Sequence, residues 1–516
     1  MQTEKEYYVS REIGPVRSES TGEYSLPDYN GDVKRVLIVK PKLFPEGRFN
    51  TGDSLEYSGT VGYDVVYLDS ENVVTHAEFK TDYEGALKVN ADLYVDSDVK
   101  TSIVGCNLRL VGPRKLSVKA ILDTEIRLKE KRSYDIEGDA FDDYEPETME
   151  RTVSVFNSEL LRGEEKSYSG QLHMIEGAIA DEVEVLLSDC ELRVTDVETG
   201  DSCVQVHGNA SVTVLLRNGE EKPTVVSKEI SLDERIDAAG IVIDDRAECL
   251  FDLRELSSKI EPTEDGVCIG YSLKITPRIY SKGNADVRLV CDAYLKERGC
   301  DNEYSDFSYT EYIDTLRCED TFDTSALLSE LGVDSVDEII WCEACAKAES
   351  CDFEDDCLKI NGEIRFSGIA CQVLEDSEPV YFPIRVSAPF AQNVNYNCQI
   401  HANMQANCHS FVSDVKMISD GNEVVASCVI HSSATLTAKK NQRCLGRSNL
   451  TDARFDKDES VVTVYYPDPG ETLFGIAKKF HTSVESIAET NRLSESVFAN
   501  ESDPLCSSGV GKLIIK

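Results

Sequence analysis

Long apolar runs are missing from this 516-residue chain; none approaches the ~18 residues of a membrane-spanning helix, so no membrane span is expected. The start, Met1-Gln2-Thr3-Glu4-Lys5-Glu6, lacks the basic segment and apolar core of an export signal. A reducing cytosol, with mostly free thiols among the eighteen cysteines, is the resulting expectation. Bases are scarce as well: 53 against 95 acids leave a net charge of −42. Only seven of those acids and five of the bases lie from Val461 onward, so nearly all the excess falls earlier. Such a surface repels a duplex, which carries about one phosphate per ~1.7 Å, and nucleic acid is not an expected partner. It favours solubility and attraction to basic partners.

Catalytic signatures are also missing. The chain has no His-Glu-x-x-His helix and no Gly-x-Ser-x-Gly elbow. Gly509-Val510-Gly511-Lys512 lacks the longer loop and the following Ser or Thr of a phosphate-binding P-loop. Cys342, Cys345, Cys351 and Cys357 fall within sixteen residues, but zinc calls for Cys-x-x-Cys knuckles on turns or nearby histidines. The first pair lies on an expected strand, and Cys345 stands where Leu192 and Leu43 stand elsewhere, so a small buried hydrophobe is the better reading. His401, Cys408 and His409 form a weaker cluster, and His207 projects from the polar side of its strand. No enzyme, cofactor or metal site is expected.

What the chain does have is repetition. Leu55 to Val65, Val204 to Val214 and Leu358 to Phe366 each alternate apolar and polar residues around a glycine on the apolar side. Gly59 to Gly208 is 149 residues and Gly208 to Gly362 is 154. Segments beginning at Val33, Val183 and Val336 precede those glycines by 26, 25 and 26 residues. A third anchor pairs Gly112-Pro113, Gly283-Asn284 and Gly421-Asn422, each leading into another alternating run. Strict period two means strands with one wet face, the habit of antiparallel sheets. A glycine on the inward face suits a bulge or a close approach of the facing sheet. The expected fold is therefore mainly β, with three tandem repeats of about 150 residues, each a sandwich or open barrel. Leu327 to Leu331 is a candidate short helix before the third. The expected units are 1–138, 151–298 and 299–437, with an acidic linker over 139–150 and a flexible tether over 438–460.

Residues 461–516 read as a small β-α-α-β unit. A β run from Val461 to Tyr466 leads into the Pro469-Gly470 turn. Leu473, Ile476, Ala477 and Phe480 make one helical stripe. Thr482 and Glu485 form a candidate capping box for a second helix, and Lys512 to Lys516 closes the unit as a strand. The turn Pro469-Gly470-Glu471-Thr472-Leu473, the Ile-Ala-x-x-Phe helix, the Thr-Ser-Val-Glu-x-Ile start and Asn491-x-Leu493 resemble the LysM module in order and spacing. That resemblance implies a groove between the first turn and the loop before the last strand, which in the family binds N-acetylglucosamine chains. Here it falls on Asp468, Pro469, Gly470, Glu471, Thr472, Ser496, Val497 and Phe498. The loop from Ser494 to Gly511 is longer than usual for the family.

Three repeats and a C-terminal LysM, with the leading segment Leu26-Pro27-Asp28-Tyr29, together resemble the SipL-like spore coat morphogenetic family, in which tandem SPOCS domains precede a LysM. The resemblance implies a non-enzymatic scaffold in the mother-cell cytosol at the forespore surface. It also implies that the LysM docks on a coat-basement protein, a SpoIVA-like ATPase, rather than on N-acetylglucosamine polymer.

Overall fold

The computed structural model describes residues 6–27, 30–200, 202–238, 247–354, 357–373, 378–396, 403–455, 461–493 and 511–516. The fold is mainly β, and the period-two runs become antiparallel strands. The first unit contains β1 (Glu6–Ser25), β2 (Val33–Asn50), β3 (Ser54–Asp69), β4 (Val74–Lys88), β5 (Tyr94–Gly112) and β6 (Lys115–Ser133). A sheet of order β2-β3-β4 faces one of order β1-β6-β5. Leu55, Val61 and Tyr63 on β3 meet Leu116, Val118 and Leu122 on β6 in a shared core. Each such side chain contributes about 1.5–3 kcal/mol on leaving water.

The second unit repeats the plan with its first strand split in two. It holds β7 (Glu147–Arg162), β8 (Lys166–Glu176), β9 (Val183–Thr199), β10 (Cys203–Asn218), β11 (Thr224–Asp237), β12 (Glu248–Thr263) and β13 (Gly266–Tyr294). The sheet β9-β10-β11 packs on β12 and β13, with β8 and β7 both along β13. The third unit has β14 (Arg298–Leu327), α1 (Leu328–Leu331), β15 (Glu338–Phe353), β16 (Cys357–Gln372), β17 (Val380–Asn395), β18 (Met404–Asp420) and β19 (Glu423–Arg454). Its sheet β15-β16-β17 faces β14-β19-β18. Each repeat is a sandwich.

The three repeat glycines sit where the sandwiches share a detail. Opposite each one, the preceding strand carries a β-bulge: between Pro45 and Gly47, between Asp196 and Val194, and between Ala348 and Ser350. A bulge brings the two backbones together and leaves no room for a side chain. A Cβ at Gly208 would lie 2.3 Å from the Arg193 carbonyl oxygen and 2.5 Å from the Phe251 ring; at Gly362 the distances are 2.2 Å to the Lys347 carbonyl and 2.5 Å to Phe390. Tyr83 covers Gly59 in the same way.

A second bulge in each unit builds the centre of the molecule. Leu37, Leu186 and Ile340 are the unpaired extra residues of β2, β9 and β15, each 22 residues before its glycine. The three pack in one cluster with the equivalent sets Ile38, Leu187, Trp341 and Val66, Leu215, Ile369. Three sheets therefore meet through the same positions, a quasi-threefold hub. Nineteen residues before each glycine stand Lys40, Asp189 and Glu343. Lys40 Nζ lies 2.7 Å from Asp189 and 3.0 Å from Glu343, closing one ion triad among the three repeats. Burial pushes the Lys40 ammonium down, but the two carboxylates outweigh it and hold the pKa above the ordinary lysine value.

Away from the hub, the far halves of β1 and β6, β7 and β13, and β14 and β19 form three two-stranded ribbons around a second core. Val153, Leu289 and Leu445 meet there, with Tyr7 and Phe307 against them. Tyr134 Oη lies 3.1 Å from the Val290 carbonyl and 2.6 Å from the Leu445 carbonyl, joining all three. We call this part the stem.

The stem corrects three expectations. Gly283 is not the equivalent of Gly112 and Gly421, because it lies inside β13, paired with Asn157. The matching hairpin turn is Glu264-Asp265, after which Val267, Ile269 and Leu273 enter the core. Both halves of β13 alternate, so period alone could not choose between them. The segment 139–150 is not a free linker either: Ala140 is fully buried, its amide donates to the Ser448 carbonyl at 3.2 Å, and β7 begins at Glu147. Residues 438–454 are likewise strand rather than tether, since β19 continues to Arg454 and pairs there with β14, which takes up the polar stretch 299–306. Their polar composition reflects a strand with a wet face, not a mobile chain.

Candidate functional site

The C-terminal module is built from β20 (Thr463–Tyr465), α2 (Leu473–Lys479), α3 (Val484–Asn491) and β21 (Leu513–Ile515), with β20 and β21 antiparallel. Leu473, Ile476, Ala477, Val484, Ile487, Leu513 and Ile515 form its core. Asn491 fastens the end of α3 to the last strand, donating to the Ile514 carbonyl at 2.7 Å and accepting from the Ile514 amide at 2.6 Å.

Five groove residues from the sequence reading can be placed. Asp468, Pro469 and Gly470 are exposed at the turn, where Gly470 takes φ +95°, a left-handed conformation that favours glycine. Thr472 is the N-cap of α2, its hydroxyl accepting from the Gly475 amide at 3.0 Å. Glu471 staples the turn: its carboxylate accepts from the Asp468 amide at 2.9 Å and from Tyr465 Oη at 2.8 Å. The Asp468 amide holds the Glu471 carboxyl below its usual range, helped by Tyr465 and Lys479. The turn is therefore shaped by Glu471 and Thr472 and displayed by Asp468, Pro469 and Gly470. Ser496, Val497 and Phe498 lie outside the described residues. Sequence reasoning missed a neighbouring feature: Val462, Val464 and Tyr466 alternate along the first strand and its flanks, 55%, 49% and 66% exposed. Their period of two was the available signal.

The expected capping box moves by one residue. Ser483, not Thr482, caps α3, accepting from the Ser486 amide at 3.1 Å. Thr482 is occupied elsewhere: its amide donates to Ala477 and its carbonyl accepts from Tyr294 Oη at 2.5 Å. That bond belongs to a junction between module and stem. The Tyr294 ring meets Phe474 edge-on at 5.2 Å. Lys478 Nζ lies 2.7 and 2.8 Å from the two oxygens of Asp292, which also accepts from Tyr304 at 2.7 Å. Phe455 stacks on His481 at 3.5 Å, and burial pushes the His481 imidazole pKa down. The module is thus held through α2 and the turn after it, while Asp468, Pro469 and Gly470 remain exposed.

The remaining candidates can be placed where they are described. Cys351 and Cys408 form a disulfide, and fourteen other cysteines among the described residues are free. Burial raises Cys106 to about 11 and Cys190 to about 12, the opposite of a reactive thiolate. A cavity of about 920 Å³ between the three sandwiches carries Lys100, Lys282 and Lys439 against Glu12, Glu125 and Glu248. His409 is exposed on the wall of this cavity. His401 is outside the described residues. Among the described residues, no group of three His, Cys, Asp or Glu is placed to hold a metal, and no helix is long and apolar enough to cross a membrane.

What the geometry defines, then, is a small βααβ recognition module seated on a β body. Residues 468–497 match the LysM domain, and the module is a LysM. No curated protein matches the chain.

Proposed function

We propose that this protein is a non-enzymatic scaffold of the spore coat, working in the mother-cell cytosol at the forespore surface, with its LysM as the docking element for a coat-basement ATPase of the SpoIVA type. The observation that carries this reading is the division of labour within the module. One side is committed to the stem through Tyr294, Asp292 and Lys478, while the Asp468 turn stays exposed beside the apolar stripe of Val462, Val464 and Tyr466. Contiguous exposed apolar surface of this kind suits a protein contact. The three sandwiches, with β7 starting at Glu147 and β19 ending at Arg454, serve as the body that carries the plug, and the resemblance of the repeat-plus-LysM order to the SipL-like family supports it.

A second reading has its own support. The LysM match itself points to N-acetylglucosamine polymers, and Tyr466 beside the turn offers a ring to a sugar face. One experiment separates the two. Full-length protein is presented in parallel with the purified ATPase and with insoluble peptidoglycan, using Asp468→Lys and Tyr466→Ser as variants. The scaffold reading expects capture of the ATPase, lost in both variants, and no retention on peptidoglycan. Retention on peptidoglycan, competed by N-acetylglucosamine oligomers and without ATPase capture, establishes the second reading instead.

A further inference from the structure

The chain is strongly acidic, yet in one cleft the charged lining residues are mainly cations. It lies between the first and second sandwiches and has a volume of about 390 Å³. Arg48 of β2, Lys100 of β5, Arg162 of β7, Arg254 of β12 and Arg278 of β13 line it, against two carboxylates, Asp98 and Asp252. Among the described side chains five positive charges face two negative ones, Lys100 being shared with the larger cavity and its Glu125, in a protein whose overall balance is −42. Chance placement of 53 bases among 95 acids runs against such a cluster.

The two carboxylates are already used up. Asp98 is buried and accepts from Arg48 at 3.3 Å, from Arg278 at 3.4 Å, from Tyr280 Oη at 2.7 Å and from Arg162. Asp252 takes Arg278 Nη2 at 2.5 Å, with Arg254 at 3.7 Å. A third acid, the exposed Asp96, stands 3.7 Å from Arg48, outside the lining. Four guanidiniums carry five donors each, more than these described carboxylates can take up. Burial and the nearby Arg162 press the Arg48 pKa below the ordinary value, with Asp98 and Asp96 only partly offsetting this, whereas at Arg278 burial is outweighed by Tyr280, Asp252 and Asp98, which hold its pKa up. Arg48, Arg162 and Arg254 keep 28%, 31% and 29% of their side-chain surface, so the heads are held in place yet reachable.

We propose that this cleft binds a small multivalent oxyanion, a metabolite bearing phosphoryl or several carboxylate groups. Planar guanidiniums fork onto tetrahedral or planar oxyanions with two parallel hydrogen bonds, a geometry that a lone lysine patch lacks. The walls on either side of the charges, Leu43, Pro45, Val99 and Leu253, are apolar and strengthen each charged contact by excluding water. The ligand bridges β2 and β5 of the first unit to β12 and β13 of the second, so binding stabilises their contact. This site is independent of the LysM reading.

The test uses the full chain in buffer free of divalent metal, at constant ionic strength, with titration calorimetry and thermal melting. The probes are inorganic pyrophosphate, citrate and, as a monovalent control, acetate. Saturable binding of pyrophosphate or citrate, with a raised melting temperature and none from acetate, is the expected result. The stronger of the two assigns the phosphoryl or the carboxylate class. Arg254→Gln, whose nearest carboxylate is 3.7 Å away, leaves the fold intact and weakens binding about tenfold or more. Arg48→Gln does the same. The proposal is overturned if neither multivalent probe binds, if acetate matches them, or if Arg254→Gln binds as tightly as the parent.

Discussion

The hub and the module–stem junction are both interfaces within one chain, but they are made differently. At the hub, three sandwiches offer the same positions to one another: a bulged aliphatic residue, the residue after it and one on the central strand, with the Lys40, Asp189 and Glu343 triad beside them. At the junction, a single LysM rests on Tyr294, Asp292 and Phe455, and no part of the contact is repeated. The hub buries mostly carbon, which contributes with area. The junction is smaller: of the body's described buried residues Tyr294 alone enters the LysM core, with Met149 and Cys300 packed against it, and a few polar bonds worth about 1 kcal/mol each are added. The lesson is that the body is one closed assembly, while the LysM is an attachment that can loosen without it.

Five perturbations sharpen that contrast. Leu473→Asp buries a charge in the small LysM core and unfolds that module, a loss above ~4 kcal/mol. Scanning calorimetry should show the body transition unchanged; loss of both transitions together would mean that the two parts fold as one. Lys40→Glu puts three carboxylates at the hub and costs about 3 kcal/mol of body stability in urea titration. That is the low end for a broken buried pair, because the side chains remain a fifth to a third exposed. Gly362→Ala forces the bulge on β15 apart and costs about 2 kcal/mol, mainly in the third sandwich. Tyr294→Phe removes one junction bond, about 1 kcal/mol, and should speed hydrogen exchange in α2 while leaving β16 protected.

The smallest effect is one of pH, and it has opposite signs at two interfaces. His481 at the junction has a lowered pKa, so its contribution is complete above its ordinary 6.5 and is lost as pH falls below it. His76 sits between the first two sandwiches, 2.9 Å from Glu184. Burial lowers its pKa, but Glu184 outweighs burial and the net shift is upward, so its contribution is complete below 6.5 and fades as pH rises through the folded pKa. Acidification from pH 8 to pH 6 should loosen α2 and tighten β4 against β9, read by hydrogen exchange at each. Parallel changes at both would contradict the assignment.

Much of this was legible in the sequence, for different reasons in different places. The LysM showed itself through local chemistry: a Pro-Gly turn and two capped helices act within a few residues. The repeats showed themselves by period, because the glycines at 59, 208 and 362 answer one steric demand three times. The hub was hidden. Leu37, Leu186 and Ile340 look like ordinary strand residues until a bulge turns them, and Lys40, Asp189 and Glu343 share a place without sharing a residue type. Glu471 was read as part of a groove, since a carboxylate that staples its own turn has the same sequence signature as one that meets a ligand. The basic cleft draws its residues from five strands across two repeats, which no local pattern brings together.

The equivalence of the three hub positions is tested most directly by moving the lysine. In Lys40→Glu combined with Glu343→Lys, the triad again holds one ammonium and two carboxylates at the same three places. Urea unfolding of the double variant should recover most of the stability lost in Lys40→Glu alone. A double variant no more stable than that single one would contradict a hub built on equivalent positions.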